Sequence, residues 1–219
     1  MTTVVAIYTG QGLADPLKAV FKEALPDCRL INIIDDSLIA DVVSSNKVTP
    51  AVTKRLMCYY EMAEEMGADV ILNTCSSVGE VVALGRQVVE TPIVRIDEPM
   101  ARQAVEQYSR IGVIATLPTT LQPTLRLLRE QAQQAGRSIT IVEGLAEGAY
   151  DALVGGSPEQ HDQLILETAL RLKPQVDAIV LAQGSMARME GNLADATGLP
   201  VLSSPRLGVA AVKRVLSEG

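Results

Sequence analysis

The sequence predicts an α/β protein made of two like lobes, each a parallel sheet flanked by helices. Short aliphatic runs alternate with longer amphipathic stretches along the whole chain, and this alternation is typical of βαβ units. The apolar residues are almost all aliphatic, with one Phe, five Tyr and no Trp among 219 residues. Because Val, Ile and Leu suit strands that are buried on both faces, this composition favours a parallel sheet.

Eight aliphatic runs are predicted as strands and four amphipathic stretches as helices. A proline stands at or near the start of each helical stretch, where its missing N–H costs no hydrogen bond. The predicted strands are residues 3–9, 29–34, 68–73, 92–96, 110–115, 138–142, 178–182 and 200–202. The predicted helices are residues 16–25, 50–66, 118–134 and 158–172.

The two halves of the chain repeat one pattern. Residues 68–75 and 176–185 each contain an Asp, then an aliphatic strand, then a small polar turn that leads into a helix. Residues 3–10 and 110–117 are strands that end in a turn containing Thr. We therefore expect residues 1–97 to form one lobe and 98–199 the other. The last strand and helix, residues 200–219, are expected to return to the first lobe.

Composition excludes several classes of function. The formal charge is −7 and no Lys/Arg cluster interrupts the acidic background, so we expect no nucleic-acid partner. No apolar run approaches the roughly 20 residues that span a bilayer, and the first strand begins too early for a signal peptide. We therefore expect a cytoplasmic protein without a membrane partner. Three cysteines and one histidine predict reduced thiols and no metal site.

Polar side chains cluster in four turns that follow predicted strands. In open parallel sheets, ligands bind outside the carboxyl ends of the strands. The turns offer hydroxyls, amides and backbone N–H groups without strong charge, which suits a small carboxylate. They contain Thr9 to Gly12, Thr74 to Ser77, Thr116 to Thr120, and Gln183 to Ser185.

Cys75 is the residue in these turns with the most reactive chemistry. It follows a strand and precedes a helix expected to begin near Val78, where the helix dipole and free N–H groups can lower the pKa of a thiol. Such a thiol can serve as base, acid or nucleophile. The alternative is a buried cysteine that acts as a small hydrophobe, which is our interpretation of Cys28 and Cys58.

The remaining motifs have competing interpretations. Thr116, Thr119 and Thr120 either cap the helix after Pro118 or bind an anion with their hydroxyl and N–H groups. Residues 10–12 (Gly-Gln-Gly) lack the third glycine of a dinucleotide fingerprint, so no nucleotide cofactor is expected. His161, at a helix start, is expected to be solvated or to cap the helix.

Three segments resemble the aspartate/glutamate racemase superfamily, which includes hydantoin racemases, maleate isomerase and arylmalonate decarboxylase. They are residues 73–77 (Asn-Thr-Cys-Ser-Ser), residues 112–116 with Thr119 and Thr120, and residues 179–185 (Ile-Val-Leu-Ala-Gln-Gly-Ser). Residues 33–37 and 95–100 are similar to hydantoin-racemase-type members. The resemblance implies two pseudo-symmetric lobes, an active site in the cleft between them, and no metal, pyridoxal phosphate or nucleotide.

The resemblance also implies two cysteines on opposite faces of the substrate carbon. Cys75 matches the first, whereas Gln183 stands where the second is expected. Gln does not exchange protons near neutral pH, so a symmetric two-thiol racemisation is excluded. We therefore expect a racemase or isomerase with Cys75 as its acid/base or nucleophile. A one-thiol decarboxylase and a metabolite-binding protein without turnover are the alternatives.

The expected substrate is a small carboxylic acid. Neutral donors that hold its carboxylate and a developing enolate stabilise negative charge as it forms. Gln183 is expected to orient a carbonyl or amide, and Asp35, Asp36 or Asp97 are candidates for holding an ammonium group. The identity of the substrate and the formation of a homo-oligomer stay open. The expected substrate-binding residues are Thr9, Gln11, Ser76, Ser77, Thr116, Thr119, Thr120, Gln183, Gly184 and Ser185.

Overall fold

The computed structural model describes residues 2–218 and divides the chain into two compact units. Unit 1 contains the residues up to Pro99 together with those from Pro205 onward, and unit 2 contains Met100–Ser204. Each unit has a four-stranded sheet in which all pairings are parallel. The predicted fold class, two like α/β lobes with parallel sheets, is confirmed.

The sheet of unit 1 has helices on both faces. Its strands are β1 (Thr3–Tyr8), β2 (Arg29–Ile34), β3 (Val70–Asn73) and β4 (Ile93–Arg95), in the order β2-β1-β3-β4. Since side chains alternate along a strand, Val5 and Ile7 pack with one core cluster while Val4, Ala6 and Tyr8 pack with another. The helices are α1 (Ala14–Ala24), α2 (Ser37–Ser45), α3 (Pro50–Glu65) and α4 (Val82–Gly85).

The sheet of unit 2 repeats this topology. Its strands are β5 (Arg110–Ala115), β6 (Thr140–Leu145), β7 (Ala178–Leu181) and β8 (Val201–Leu202), in the order β6-β5-β7-β8. The helices that follow in the chain are α5 (Glu98–Gln107), α6 (Pro118–Gln134), α7 (Ala149–Val154), α8 (Pro158–Leu172), α9 (Glu190–Thr197) and α10 (Ser204–Glu218). No helix within residues 2–218 is both long enough and apolar enough to cross a membrane.

The repeated Asp before a strand has the same structural role in both units. Asp69 Oδ2 accepts the Thr3 N–H at 2.7 Å, and Asp177 Oδ2 accepts the Arg110 N–H at 3.0 Å. Each of these N–H groups begins the neighbouring central strand, β1 or β5. The carboxylate therefore completes the hydrogen bonding of a strand end that the ladder leaves open, which explains why the pattern occurs twice.

All eight predicted strands and all four predicted helices are present, but the last strand pairs in a different sheet from the one expected. The predicted bounds match β2, β5, α6 and α8. Residues 200–202 were expected to return to the first lobe, yet β8 pairs with β7 in the sheet of unit 2. The chain then continues into α10, whose Val209 and Val212 pack in a core cluster of unit 1. The chain therefore returns to unit 1 at α10, one element later than expected. The expectation failed because so short a strand carries too little sequence pattern to indicate its partner.

Candidate functional site

The turn after β3 holds Cys75 in a fixed backbone geometry. Thr74 is anchored twice to β1, because its N–H and its Oγ1 donate to the Ile7 carbonyl at 3.1 and 2.9 Å. Cys75 follows with extended φ and ψ of −119° and 118° and precedes a 3-10 helix, Ser76–Val81. A helix was expected to begin near Val78; the helical segment there is this 3-10 helix, and α4 begins only at Val82. The thiol therefore lies at the start of a short 3-10 segment, which has a weaker dipole than a long helix.

The Cys75 thiol is surrounded by hydrogen-bond donors and yet is hard to ionise. Burial is the largest influence and raises the pKa of Cys75, while hydrogen bonds from the Thr9 side chain and from Ser77 and Val78 act to lower it. The net shift is upward, opposite to the lowering expected from the helix dipole. The residue keeps partial exposure, but the crowding around the sulfur disfavours the charged form. The resting state at neutral pH is therefore a neutral thiol.

Two buried residues that the sequence analysis did not assign contact this turn. Asn73 Oδ1 accepts the Cys75 N–H at 3.2 Å, and Asn73 Nδ2 donates to the Tyr60 hydroxyl at 2.7 Å. Tyr60 is a buried residue of α3. Asn73 is the polar residue at the end of an aliphatic strand and opens the Asn-Thr-Cys-Ser-Ser segment. The sequence signal of Tyr60 is a tyrosine on the apolar face of a helix.

A buried ion pair supports the 3-10 helix after Cys75. Arg95 Nε and Nη2 donate to the two carboxylate oxygens of Asp97 at 2.7 and 3.1 Å. Both side chains are buried, at 8% and 0% exposure. An ideal Cβ at Gly79 would lie 2.3 Å from Arg95 Nε, so this glycine lets the helix backbone approach the guanidinium closely. Asp97 is committed to Arg95 and is a poor candidate for an ammonium partner.

The residues near the carboxyl end of β2 form a separate polar cluster. Gln11 is exposed and donates to Asp36 at 3.3 Å. Asp35 accepts hydrogen bonds from Ser37 and from Tyr59, and it pairs with Arg55. Burial acts to raise the pKa of Asp35, but the bonds from Ser37 and Tyr59 and the Arg55 charge together lower it. Asp35 is therefore an ionised carboxylate that already has partners on its own unit.

The turn after β7, in unit 2, is held by two hydrogen bonds between Gln183 and Thr116. Gln183 Oε1 accepts the Thr116 N–H at 2.8 Å, and Gln183 Nε2 donates to Thr116 Oγ1 at 2.6 Å. Gln183 has φ and ψ of −116° and 133° and precedes the 3-10 helix Gly184–Met189. Gly184 is half-buried and Ser185 is exposed. The Gln183 amide thus binds its own chain with both of its ends.

The threonines at the start of α6, Thr119 and Thr120, and Thr116 just before it do not cap the helix with their side chains. The N-cap of α6 is Leu117, and it makes no side-chain cap hydrogen bond. Thr120 is buried, with its N–H bonded to the Leu117 carbonyl, and Thr119 Oγ1 is buried without a partner. The capping interpretation therefore fails for Thr119, whose hydroxyl has no partner. It also fails for Thr116, whose hydroxyl bonds to Gln183.

Cys75 and Gln183 occupy equivalent positions in the two units. Each is the second residue after the third strand of its sheet and the residue before a six-residue 3-10 helix, with nearly the same φ and ψ. Each interacts with the threonine that follows the central strand, Thr9 in unit 1 and Thr116 in unit 2. In unit 1 the structure brings Thr9, Cys75 and Ser77 together, and in unit 2 it brings Thr116 and Gln183 together.

His161 differs from its expected solvated or capping role. Its side chain is 2% exposed, and Nδ1 lies 2.7 Å from Asp162 Oδ1. Asp162 also pairs with Arg188, which lies on the 3-10 helix after Gln183. Burial acts to raise the pKa of Asp162, but the partners Arg188 and His161 lower it. This cluster connects the start of α8 to the 3-10 helix that follows Gln183.

Within the described part of the chain, neither a metal-binding cluster nor the cavity of unit 2 coincides with these turns. Among residues 2–218, no group of three or more His, Cys, Asp or Glu side chains could hold a metal ion. A cavity of about 790 Å³ opens in unit 2 against α6, β6 and α8, lined in part by Glu143, Glu147 and Arg171. Its lining contains none of the expected site residues, so it is distinct from the Gln183 turn.

Solved structures with the same fold extend over nearly the whole chain. Glutamate racemase from Francisella tularensis in complex with D-glutamate has a TM-score of 0.78 at 13% identity, over 99% of this chain and 81% of that one. Allantoin racemase from Klebsiella pneumoniae has a TM-score of 0.71 at 16% identity, over 100% and 89%. A mutant of arylmalonate decarboxylase has a TM-score of 0.64 at 18% identity, over 99% and 94%. A search of curated protein sequences finds no match.

The sequence profile described as Asp/Glu/Hydantoin racemase matches residues 4–212. Together with the duplicated parallel fold, this match defines a racemase-type isomerase. The matched residues extend over both units and include Cys75 and Gln183. The chain belongs to the Asp/Glu/hydantoin racemase family.

Proposed function

We propose that the chain racemises or isomerises a small carboxylic acid without a cofactor, and that Cys75 is the reacting group. The observation that carries this proposal is the donor set around the Cys75 sulfur. The Thr9 side chain and the Ser77 and Val78 groups all favour the thiolate, although burial keeps the thiol neutral at rest. A buried cysteine that served only as a small hydrophobe would need none of these donors.

The proposed carboxylate-binding groups are the neutral donors of the four polar turns. Thr9, Ser76 and Ser77 are buried in unit 1, and Thr116 and Thr120 are buried in unit 2. Buried hydroxyl and N–H donors that are already oriented stabilise an oxyanion without reorganising during the reaction. Gln11, Thr119, Gly184 and Ser185 complete the proposed set; Gln183 contributes by fixing Thr116.

Gln183 makes the proposed chemistry one-sided. It stands at the position equivalent to Cys75 and cannot exchange a proton. Only Cys75 is then available, so the proton must leave and return through one thiol, or the thiolate must add to the substrate. This asymmetry separates the chain from a two-thiol racemase.

The neutral resting state of Cys75 favours a second candidate, a one-thiol decarboxylase. Loss of CO2 from a malonate-type substrate leaves the bonding electron pair as an enolate. The Cys75 S–H then donates its proton to the α-carbon, and the resulting thiolate regains a proton from water. The raised pKa of Cys75 keeps the acid form in place for this step.

Deuterium incorporation in D2O tests both candidates. Wild type, Cys75→Ser and the control Cys58→Ser would be incubated with aspartate, glutamate, allantoin, hydantoins, maleate and arylmalonates, and followed by NMR. Cys58 is exposed on α3, so its variant reports non-specific effects of losing a thiol. We expect exchange, isomerisation or CO2 loss with one substrate class, retained in Cys58→Ser and abolished in Cys75→Ser.

The alternative outcomes separate the functions. Turnover that persists in Cys75→Ser contradicts the role of the thiol. Tight binding of one of these acids without any exchange contradicts the enzyme proposal and supports a metabolite-binding protein.

A further inference from the structure

Tyr60, Asn73 and Cys75 are joined by a buried chain of hydrogen bonds. Tyr60 and Asn73 are 0% and 1% exposed. The Cys75 N–H donates to Asn73 Oδ1 at 3.2 Å, and Asn73 Nδ2 donates to the Tyr60 oxygen at 2.7 Å. These hydrogen bonds thus connect the buried face of α3, through the end of β3, to the residue proposed to react.

The donor and acceptor roles in this series of hydrogen bonds are fixed by the Cys75 N–H. A backbone N–H can only donate, so the Asn73 oxygen must face Cys75 and the Asn73 nitrogen must face Tyr60. Tyr60 therefore accepts through its oxygen. Burying the polar groups of Tyr60 and Asn73 costs free energy that apolar residues at these positions would avoid. Their hydrogen bonds therefore serve the geometry of the turn rather than the stability of the core.

The surroundings hold the Tyr60 ring in one place. An ideal Cβ at Gly85 would lie 2.6 and 2.7 Å from two ring carbons, so the α4 backbone packs directly against the ring. Arg86 and Arg95 are the charged groups that act on Tyr60, and Cys75 is close enough to act on it as well. The hydroxyl is thus a rigid anchor for Asn73.

We infer that Tyr60 and Asn73 are positioning residues, which set the orientation of the Cys75 thiol without touching substrate. Asn73 restrains the Cys75 backbone at the turn, and Tyr60 restrains Asn73. The inference rests on the proposed function only in taking Cys75 as the reacting group. Without this restraint the Cys75 turn relaxes, and the sulfur leaves the crowded place beside Thr9 and Ser77.

The test measures the thiol itself. In a Cys28→Ser/Cys58→Ser background, the rate of Cys75 alkylation by iodoacetamide is recorded against pH for Tyr60→Phe, Asn73→Ala and Tyr59→Phe. Tyr59→Phe is a matched control, because Tyr59 is the neighbouring tyrosine of α3 and its hydroxyl bonds to Asp35 instead. Urea unfolding of each variant ensures that only folded protein is compared.

We expect the alkylation midpoint to move in Tyr60→Phe and Asn73→Ala toward that of an exposed thiol, by at least about 0.5 pH unit. The midpoint in Tyr59→Phe stays at the parent value. A purely structural role would lower the urea midpoint and leave the alkylation profile of the folded state unchanged. Coinciding profiles for all three variants would overturn the inference.

Asn73→Asp provides a second, conservative test. Its carboxylate still accepts the Cys75 N–H and now also accepts from the Tyr60 hydroxyl, so the turn keeps its geometry. We expect the parent alkylation rate at the high-pH plateau and a higher midpoint, because a negative charge is added beside the thiol. A profile like that of Asn73→Ala would count against the inference. Failure of the proposed function would appear separately, as unchanged turnover in Cys75→Ser.

Discussion

Replacing Gly79 with alanine places a methyl group where the Arg95 guanidinium lies. An ideal Cβ at Gly79 would lie 2.3 Å from Arg95 Nε, 2.5 Å from Cζ and 2.7 Å from Nη2. Real Cβ atoms do not approach other heavy atoms this closely, so either the guanidinium or the 3-10 helix Ser76–Val81 must move. The first movement breaks the ion pair with Asp97, and the second displaces the segment that follows Cys75.

The size of the effect follows from which Arg95 atoms collide. Nε and Nη2, two of the three colliding atoms, are also the two that donate to Asp97 at 2.7 and 3.1 Å. The guanidinium therefore cannot yield without loss of the ion pair. Overpacking alone costs about 1–3 kcal/mol, and breaking a buried ion pair costs about 3–5 kcal/mol. We expect Gly79→Ala to lower the free energy of unfolding by about 3 kcal/mol. This value is the upper end of the cost of overpacking and the lower end of the cost of breaking a buried ion pair.

Urea denaturation followed by circular dichroism measures this change. Gly191→Ala is the control, because Gly191 lies in α9 and nothing lies within 4 Å of its added Cβ. Alanine in a helix is favoured over glycine by about 1 kcal/mol, so we expect the control to match or exceed wild type. A Gly79→Ala protein within about 0.5 kcal/mol of wild type would refute the reasoning that Arg95 is immobile.

Three further predictions concern Gln183, Asp35 and Cys75. Gln183→Ala leaves the Thr116 N–H without its partner and should lower the free energy of unfolding by about 1–3 kcal/mol, measured in urea; a neutral result would mean that water replaces the two hydrogen bonds. The pKa of Asp35 is lowered in the folded state, so its contribution to stability is present above the unfolded pKa and is lost as pH falls through the folded pKa. Asp35→Asn should therefore flatten the acid side of a Tm-against-pH curve, and an unchanged acid side would contradict this. Because burial raises the pKa of Cys75, mass spectrometry at neutral pH should show iodoacetamide modifying exposed Cys58 before Cys75; the reverse order would indicate a thiolate at rest.

The sequence predicted those elements that carry strong local signals. Pro118 and Pro158 begin α6 and α8, as their position before an amphipathic stretch indicated. The Asp residues that precede β3 and β7 revealed the internal repeat, and both bond to the neighbouring strand in the same way. These signals depend on a few adjacent residues, so no knowledge of the tertiary fold was needed.

Features that depend on long-range packing were not predictable. Helix periodicity places Tyr60 on a buried face but does not reveal that its hydroxyl meets Asn73, 13 residues away. The pKa of Cys75 was expected to fall because a helix follows it, whereas the structure shows that burial dominates. Nor could Gln183 be assigned to Thr116, 67 residues away, since each had been interpreted as a ligand-binding residue.

The division of the chain into units has a consequence for its synthesis. Unit 2 is one continuous segment, but unit 1 needs the residues from Pro205 onward. Val209 and Val212 of α10 complete the core cluster around Tyr8, and Gly208 packs against Ile96. As the chain emerges from the ribosome, the second unit can therefore reach its final fold before the first. Unit 1, which carries Cys75, needs α10 for this cluster, so part of one apolar face of its sheet stays uncovered until residues 205–218 have been synthesised.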